Sequence, residues 1–190
     1  MEGLGLYFLR KGNIQSGQKV LIFGASGGVG TYAVQLAKYF GAEVTGVCST
    51  PKLDLVKSMG ADQVIDYTKE DFIKNAQAYD IIFDTVGKTS VPRSIRSLKE
   101  NGFYIFAIFG LFTLVQVFWL LRKSRKKAIF GVLEERPQDL TFLKELIETG
   151  GIKPVIDRCY PLELTSEAHR YVESGHKKGS VIIMGHNDKS

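Results

Sequence analysis

Cysteine is scarce in this 190-residue chain, with only Cys48 and Cys159. Two thiols exclude a disulfide scaffold and a four-cysteine zinc site. Free thiols suit a reducing cytosol. Histidine is as sparse: His169, His176 and His186 all fall in the C-terminal region. Neither they nor the cysteines stand at zinc-ligand spacing, so no metal site is expected and each is read as structural or exposed. Proline is low at five against twenty glycines, which suggests short turns between regular elements. No internal repeat or low-complexity linker is present. The opening Met1-Glu2-Gly3-Leu4 lacks a basic stretch leading into an apolar run, so no secretory leader is expected and a cytoplasmic location is.

What is present fits a globular chain. Apolar residues make up 44% and charged residues 24%, which excludes a disordered polymer. The length favours one domain, or one domain plus a fragment of another. The formal net charge of +5 is matched by one cluster: Arg122, Lys123, Arg125, Lys126 and Lys127. The remainder is balanced, and no basic stripe interleaved with aromatics appears. Nucleic acid is therefore not an expected partner.

Strand-like and helix-like segments alternate between residues 19 and 150. Lys19–Phe23 is a short apolar run that ends in Gly24-Ala25-Ser26-Gly27-Gly28-Val29-Gly30. A helix through Val34, Leu36, Ala37 and Phe40 follows, stopped by Gly41. Further strands are expected at Val44–Val47, Val64–Ile65, Tyr79–Phe83, Phe103–Ala107 and Ala128–Leu133. Helices are expected after Thr50-Pro51, after a Thr68 cap with Asp71 three residues on, from Ser90-Val91-Pro92 through Leu98, and over Pro137–Thr149. Short apolar strands without alternation are covered on both faces. The pattern predicts an α/β, doubly wound parallel sheet of the Rossmann type. Ligands on such a sheet sit beyond the carboxyl ends of the strands.

The glycine-rich loop lies in the right place, between a strand and a long helix. Gly24 permits the tight turn. Gly27 and Gly28 put no side chain between backbone and a diphosphate. Gly30 allows helix and strand to pack closely, and the helix N-terminus offers N–H donors to phosphates. The spacing is G-x-x-G-x-x-G. Which dinucleotide binds follows from the end of the second strand. Residues 44 to 50 carry no acid, whereas a reader of NAD places a carboxylate there for the ribose 2′-hydroxyl. Ser49 and Thr50 offer hydroxyls and Lys52 a positive charge, with Asp54 nearby in the next helix. NADPH is favoured over NADH as the cofactor.

The motifs Gly24–Gly30, Cys48-Ser49-Thr50-Pro51-Lys52, Met59–Tyr67 and Phe83-Asp84-Thr85-Val86-Gly87 arrive in this order. Together they resemble the cofactor domain of the medium-chain dehydrogenase/reductase superfamily, in its quinone-oxidoreductase-like branch. Gly151–Asp157 and Ala168–Gly185 extend the resemblance over nearly the whole chain. It implies a zinc-independent, NADPH-linked reductase of quinones, enones or similar carbonyl substrates. On it, Gly27, Gly28 and Val29 contact the diphosphate. Ser49, Thr50, Lys52 and Tyr67 surround the 2′-phosphate and adenosine. Val86 lies near the adenosine-side ribose or the path to the nicotinamide, and Ile108 and Phe109 border the nicotinamide.

Members of the superfamily begin with a separate barrel-like catalytic domain, whereas about eighteen residues precede the first strand here. Residues 1–155 are therefore expected to form the dinucleotide-binding domain. Residues 156–190 would be a segment completing a catalytic domain that this chain lacks. Tyr160 and Val181–Met184 would be strands without their usual partners, expected to pair differently, to dimerise into a homo-oligomer, or to be poorly ordered. No catalytic residue is named, because one wall of the pocket is missing. A non-catalytic NADPH-binding module is the alternative.

One long uncharged run, Phe103–Leu121, has 19 residues. As a helix it would reach about 28 Å, the length of a membrane span, with a basic flank after it. Its first five residues are needed as a sheet strand, and the remaining Ile108–Leu121 is too short to span. That remainder is expected to be a helix over the cofactor cleft or at a subunit interface. Attachment to a membrane surface through residues 108–127 is the alternative.

Overall fold

Strand β1, Lys19–Phe23, is buried along its length after Lys19. Its side chains alternate between two cores: Val20 and Ile22 in one, Leu21 and Phe23 in the other. The same alternation recurs at Ile81, Ile82 and Phe83 and at Tyr104, Ile105 and Phe106. Such a sheet needs helices on both faces. A computed structural model shows them; it describes residues 2–70, 77–87, 89–107, 110–122, 124–131, 136–175 and 177–185.

The described elements are α1 (Glu2–Lys11), β1, α2 (Gly28–Tyr39), β2 (Glu43–Cys48), α3 (Leu53–Ser58), β3 (Gln63–Asp66), β4 (Tyr79–Asp84), α4 (Val91–Ser97), β5 (Leu98–Phe106), α5 (Leu111–Leu121), β6 (Lys127–Ile129), α6 (Pro137–Glu148), β7 (Ile156–Pro161), α7 (Thr165–Glu173) and β8 (Ser180–Met184). The main sheet is six-stranded and parallel, in the order β3-β2-β1-β4-β5-β6. This is the expected Rossmann-type architecture. Helices α1, α2, α3 and α6 cover one face through Leu6, Phe8, Leu36, Val56, Leu143 and Leu146. Helices α4 and α5 cover the other through Val91, Ile95 and Val117. The switch point lies between β1 and β4, where the chain order reverses.

Several boundaries differ from the sequence reading. Helix α4 stops at Ser97 with Leu98 as its C-cap residue, and the same fully buried Leu98 opens β5. Tyr79 pairs with Leu98 and Ile81 with Phe103, so residues 99–102 bulge from the strand. Asn101 adopts φ 64 there. The turn expected at Asn101-Gly102 is thus an interruption within β5. Strand β6 ends at Ile129, short of the expected Leu133; Val132 and Leu133 lie outside the described residues. Thr68 caps no described helix: its hydroxyl and N–H donate to Asp66 instead. Its expected partner Asp71 lies outside the described residues.

Strands β7 and β8 pair with each other in parallel, joined through α7. Asp157 ties this small unit together, accepting from the Tyr171 hydroxyl at 2.6 Å and from the Lys178 N–H at 2.9 Å. Hydrogen bonds fasten it and the segment leading into it to the main sheet's helices and loops. Gln35 on α2 exchanges hydrogen bonds with the backbone of Lys153 at 2.7 and 3.0 Å. Gly179 donates to the Ser26 carbonyl at 2.9 Å.

Candidate cofactor site

The turn after β1 is built from forced glycines. Gly24 has φ +76, a left-handed conformation that a side chain disfavours. A Cβ there would stand 2.4 Å from Val86 Cγ2 and 2.6 Å from Thr85 Oγ1. Gly30 faces a tighter limit, since its Cβ would meet the Gly24 carbonyl oxygen at 2.1 Å. The first turn of α2 can therefore lie directly against the loop. Gly27 is the N-cap residue in extended conformation and provides no capping side chain. Thr31 makes the first helical bond, to the Gly27 carbonyl at 2.9 Å. The N-terminus of α2 thus presents its partial positive charge with no capping side chain and no acidic residue in its first turn.

The loop after β4 forms the facing wall. Asp84, almost fully buried, accepts from the N–H groups of Val86 at 2.9 Å and Gly87 at 2.8 Å. Its other oxygen accepts from Thr89 Oγ1 and N–H. Thr85 Oγ1 donates to the Phe23 carbonyl at 2.8 Å, locking this loop to the end of β1. Val86 is half-buried beside Gly24. The Tyr104 hydroxyl lies 2.9 Å from Thr89 Oγ1, and burial pushes its pKa up to about 12, so it stays protonated in this network.

The end of β2 supplies the adenosine side. Ser49 is half-buried and precedes a single 3₁₀ turn over Thr50–Lys52. Thr50 is exposed, yet its hydroxyl donates to the Asp66 carboxylate, which diverts it from a ligand. Asp66 also accepts from Thr68 Oγ1 at 2.6 Å and from the Thr68 N–H at 3.0 Å. The Thr50 and Thr68 hydroxyls hold its pKa below the usual carboxylate range. Tyr67 is 51% exposed at the rim, its ring 6.0 Å from that of Phe23. Cys48 is buried beneath. Burial first, and the Asp66 charge second, push its pKa up to about 11, so it is a protonated packing residue at neutral pH.

A cation missed in the sequence arrives from the C-terminal segment. Lys52 Nζ donates to the Lys177 carbonyl at 3.0 Å, across 125 residues of chain. Lys177 Nζ in turn donates to the Gly179 carbonyl at 2.8 Å, beside the glycine-rich loop. Burial lowers the pKa of both lysines. The charge of Lys52 lowers Lys177 further, and that of Lys178 acts the same way on Lys52. Asp157 is the carboxylate that partly offsets both. Both ammonium groups donate to backbone carbonyls at this edge of the sheet and are partly desolvated, so an anion arriving beside them would favour their charged forms. The only sequence signal was Lys177-Lys178 preceding Gly179. Nothing local linked that pair to Lys52.

The structure therefore brings Gly24, Gly27, Gly28, Val29, Gly30, Ser49, Thr50, Lys52, Tyr67 and Val86 to the carboxyl edge of β1, β2, β3 and β4. Ile108 and Phe109, expected at the nicotinamide, lie outside the described residues. Among the described residues no group of three histidine, cysteine, aspartate or glutamate side chains could hold a metal ion. The glycine cradle and the uncapped α2 terminus suit the diphosphate of a nicotinamide dinucleotide.

A sequence model of the zinc-binding dehydrogenase family matches residues 59–183. The chain is 34% identical over 195 residues to mouse (Mus musculus) NAD(P)H oxidoreductase RTN4IP1, mitochondrial, covering 88% of this chain and 48% of that protein. It is 35% identical over 179 residues to 2-methylene-furan-3-one reductase of Solanum lycopersicum, covering 92% of this chain and 42% of the relative. The chain spans about half the length of the curated relatives it matches. Among solved structures, the quinone oxidoreductase from Coxiella burnetii superposes with a TM-score of 0.86 at 28% identity, covering 95% of this chain and 57% of that one.

Proposed function

The chain belongs to the zinc-binding dehydrogenase family, in the quinone-oxidoreductase-like branch of the medium-chain dehydrogenase/reductase superfamily, and from that premise we propose that it is the cofactor-binding portion of an NADPH-dependent reductase of quinones, enones or similar carbonyl compounds. The observation that carries this reading is the convergence of the glycine turn, the α2 terminus, Lys52 and Lys177 at the carboxyl edge of the sheet. Gly27, Gly28 and Val29 would lie along the diphosphate, with the α2 terminus facing its charge. Lys52 and Lys177 would hold the 2′-phosphate, flanked by Ser49, with Tyr67 against the adenine. Asp84 fixes the Val86–Gly87 backbone, which would wall the ribose.

Bound there, the cofactor would supply a hydride, which with one proton takes a quinone to its hydroquinone. The protein's share is position and exclusion of water. In the same reading, residues 156–190 are part of a second domain that lines the substrate side. The names of the relatives above, an NAD(P)H oxidoreductase and a furanone reductase, support the redox class.

Fluorescence titration with NADPH and NADH, followed by turnover with a simple quinone, tests this. Tighter binding of NADPH with quinone-dependent oxidation is expected. Equal affinities would remove the NADPH preference. Binding without oxidation would leave this chain a cofactor-holding module, and absence of any binding would refute the reading.

A further inference from the structure

Helix α5 turns its apolar stripe outward. Val115, Phe118, Trp119 and Arg122 stand at i, i+3, i+4 and i+7, on one face of a helix. Val115 is 54% exposed, Phe118 70% and Trp119 68%. The opposite side, through the buried Val117, packs in the core formed with α4. Two aromatic rings side by side in water are a costly arrangement for an unpartnered surface. Beside them an apolar groove of about 500 Å³ runs between α5 and β6, lined by Val117, Phe118, Leu121, Arg122, Ala128 and Phe130. Phe130 is itself exposed.

Charge says what covers this face. Residues 101–133 contain no aspartate or glutamate, yet hold five cations between Arg122 and Lys127. Arg122, Arg125 and Lys127 are exposed, and among the described residues no carboxylate pairs with them. The Arg122 guanidinium lies 5.7 Å over the Trp119 ring, which sets a cation at the edge of the apolar stripe. Lys126 is bonded to the Ile95 carbonyl at 2.8 Å, which anchors the basic segment to α4. A second copy of this chain, packed face to face, would set this cation array against itself. An anionic surface is complementary to it. Aromatic and aliphatic side chains on one face with arginine and lysine at the border is the pattern of an element lying at a bilayer surface. At 11 residues α5 cannot cross a bilayer, and no helix of the described residues is long and apolar enough to do so.

We infer that α5 and the segment Arg122–Lys127 dock this protein on an anionic lipid surface, with Phe118 and Trp119 inserted at headgroup depth and Arg122, Arg125 and Lys127 among the lipid phosphates. The inference uses none of the redox reading. It makes attachment peripheral, reversible and dependent on lipid charge.

Trp119 is the only tryptophan of the chain, so emission excited selectively from tryptophan reports on this face alone. The full chain is mixed with vesicles of phosphatidylcholine, with and without about one third phosphatidylserine. Expected are a blue shift of emission, quenching by brominated acyl chains and co-flotation, all at least tenfold stronger on the anionic vesicles. Each cation at the surface contributes roughly fivefold. The variant R122Q/R125Q/K127Q, which keeps Trp119, is expected to lose at least tenfold in binding, and so is F118S/W119S by flotation. Unchanged emission with both vesicle types overturns the inference. So does undiminished flotation of either variant. An emission shift that follows protein concentration without vesicles overturns it too, by assigning the face to a second copy.

Discussion

Replacing Gly24 by alanine separates backbone strain from steric conflict at the cofactor turn. Gly24 and Gly17 have nearly the same conformation, φ +76 and φ +78. An added Cβ at Gly17 meets nothing within 4 Å, while at Gly24 it meets Val86 Cγ2 at 2.4 Å and Thr85 Oγ1 at 2.6 Å. Gly17→Ala should therefore cost only the left-handed strain, about 1–2 kcal/mol. Gly24→Ala carries the same strain plus an overpacking cost of about 1–3 kcal/mol, for a total of roughly 2–5 kcal/mol. Against a typical stability of about 5–15 kcal/mol, that is a large loss.

Urea unfolding at constant m-value measures both variants. The steric share has its own signature. Removing Cγ2 with Val86→Ala should recover about 1 kcal/mol in the Gly24→Ala background, a coupling that a double-mutant cycle reads directly. Thr85 Oγ1 is still in the way, so recovery stays partial. NADPH affinity should fall in Gly24→Ala and hold in Gly17→Ala. Equal destabilisation of the two alanine variants, or zero coupling to Val86, would refute the reasoning.

Other consequences follow from the same geometry. Lys177→Gln should weaken NADPH by about tenfold or more, the value of a charge-assisted hydrogen bond, with NADH affected much less; parallel titrations check it. Because the pKa values of Lys52 and Lys177 are lowered in the free protein, an arriving phosphate should raise them and binding should take up protons as pH climbs toward those values; calorimetry in two buffers of different ionisation enthalpy reads the uptake. Asp66 contributes stability above the ordinary aspartate pKa and loses it as pH falls through its lowered value. Thr68→Ala removes a hydroxyl that holds that value down, so acid unfolding should begin at higher pH, which circular dichroism would show. A thiol reagent should titrate one cysteine, Cys159, in the native protein and both in denaturant, since Cys48 is buried and protonated.

The order of elements and the glycine turn could be read from the chain because both are local. Apolar runs of five or six residues, stopped by glycine or asparagine, define strands and helix ends wherever they occur. Gly24, Gly27 and Gly30 announce a strand–turn–helix whose close packing no larger residue allows. Local signals also marked Leu98 as a helix end, and it is the C-cap residue of α4. That the same residue also opens β5, in register with Tyr79 of a neighbouring strand, had no local signal. Thr68, expected to cap a helix, donates its hydroxyl to a carboxylate two residues back, and residues 71–76 of that expected helix lie outside the described residues.

Tertiary structure alone decided which distant groups share a site and which faces remain bare. Lys177 stands beside Lys52 because β8 returns along β7 and Gly179 docks on Ser26, a closure that no spacing in the chain encodes. The uncharged run Phe103–Leu121 became a buried strand in its first part and a helix with exposed Phe118 and Trp119 in its second. Composition specified how much apolar surface that run carries. Only the packing of α5 on α4 determined which residues of it are hidden and which face outward, because burial depends on what lies opposite a side chain and not on the side chain itself.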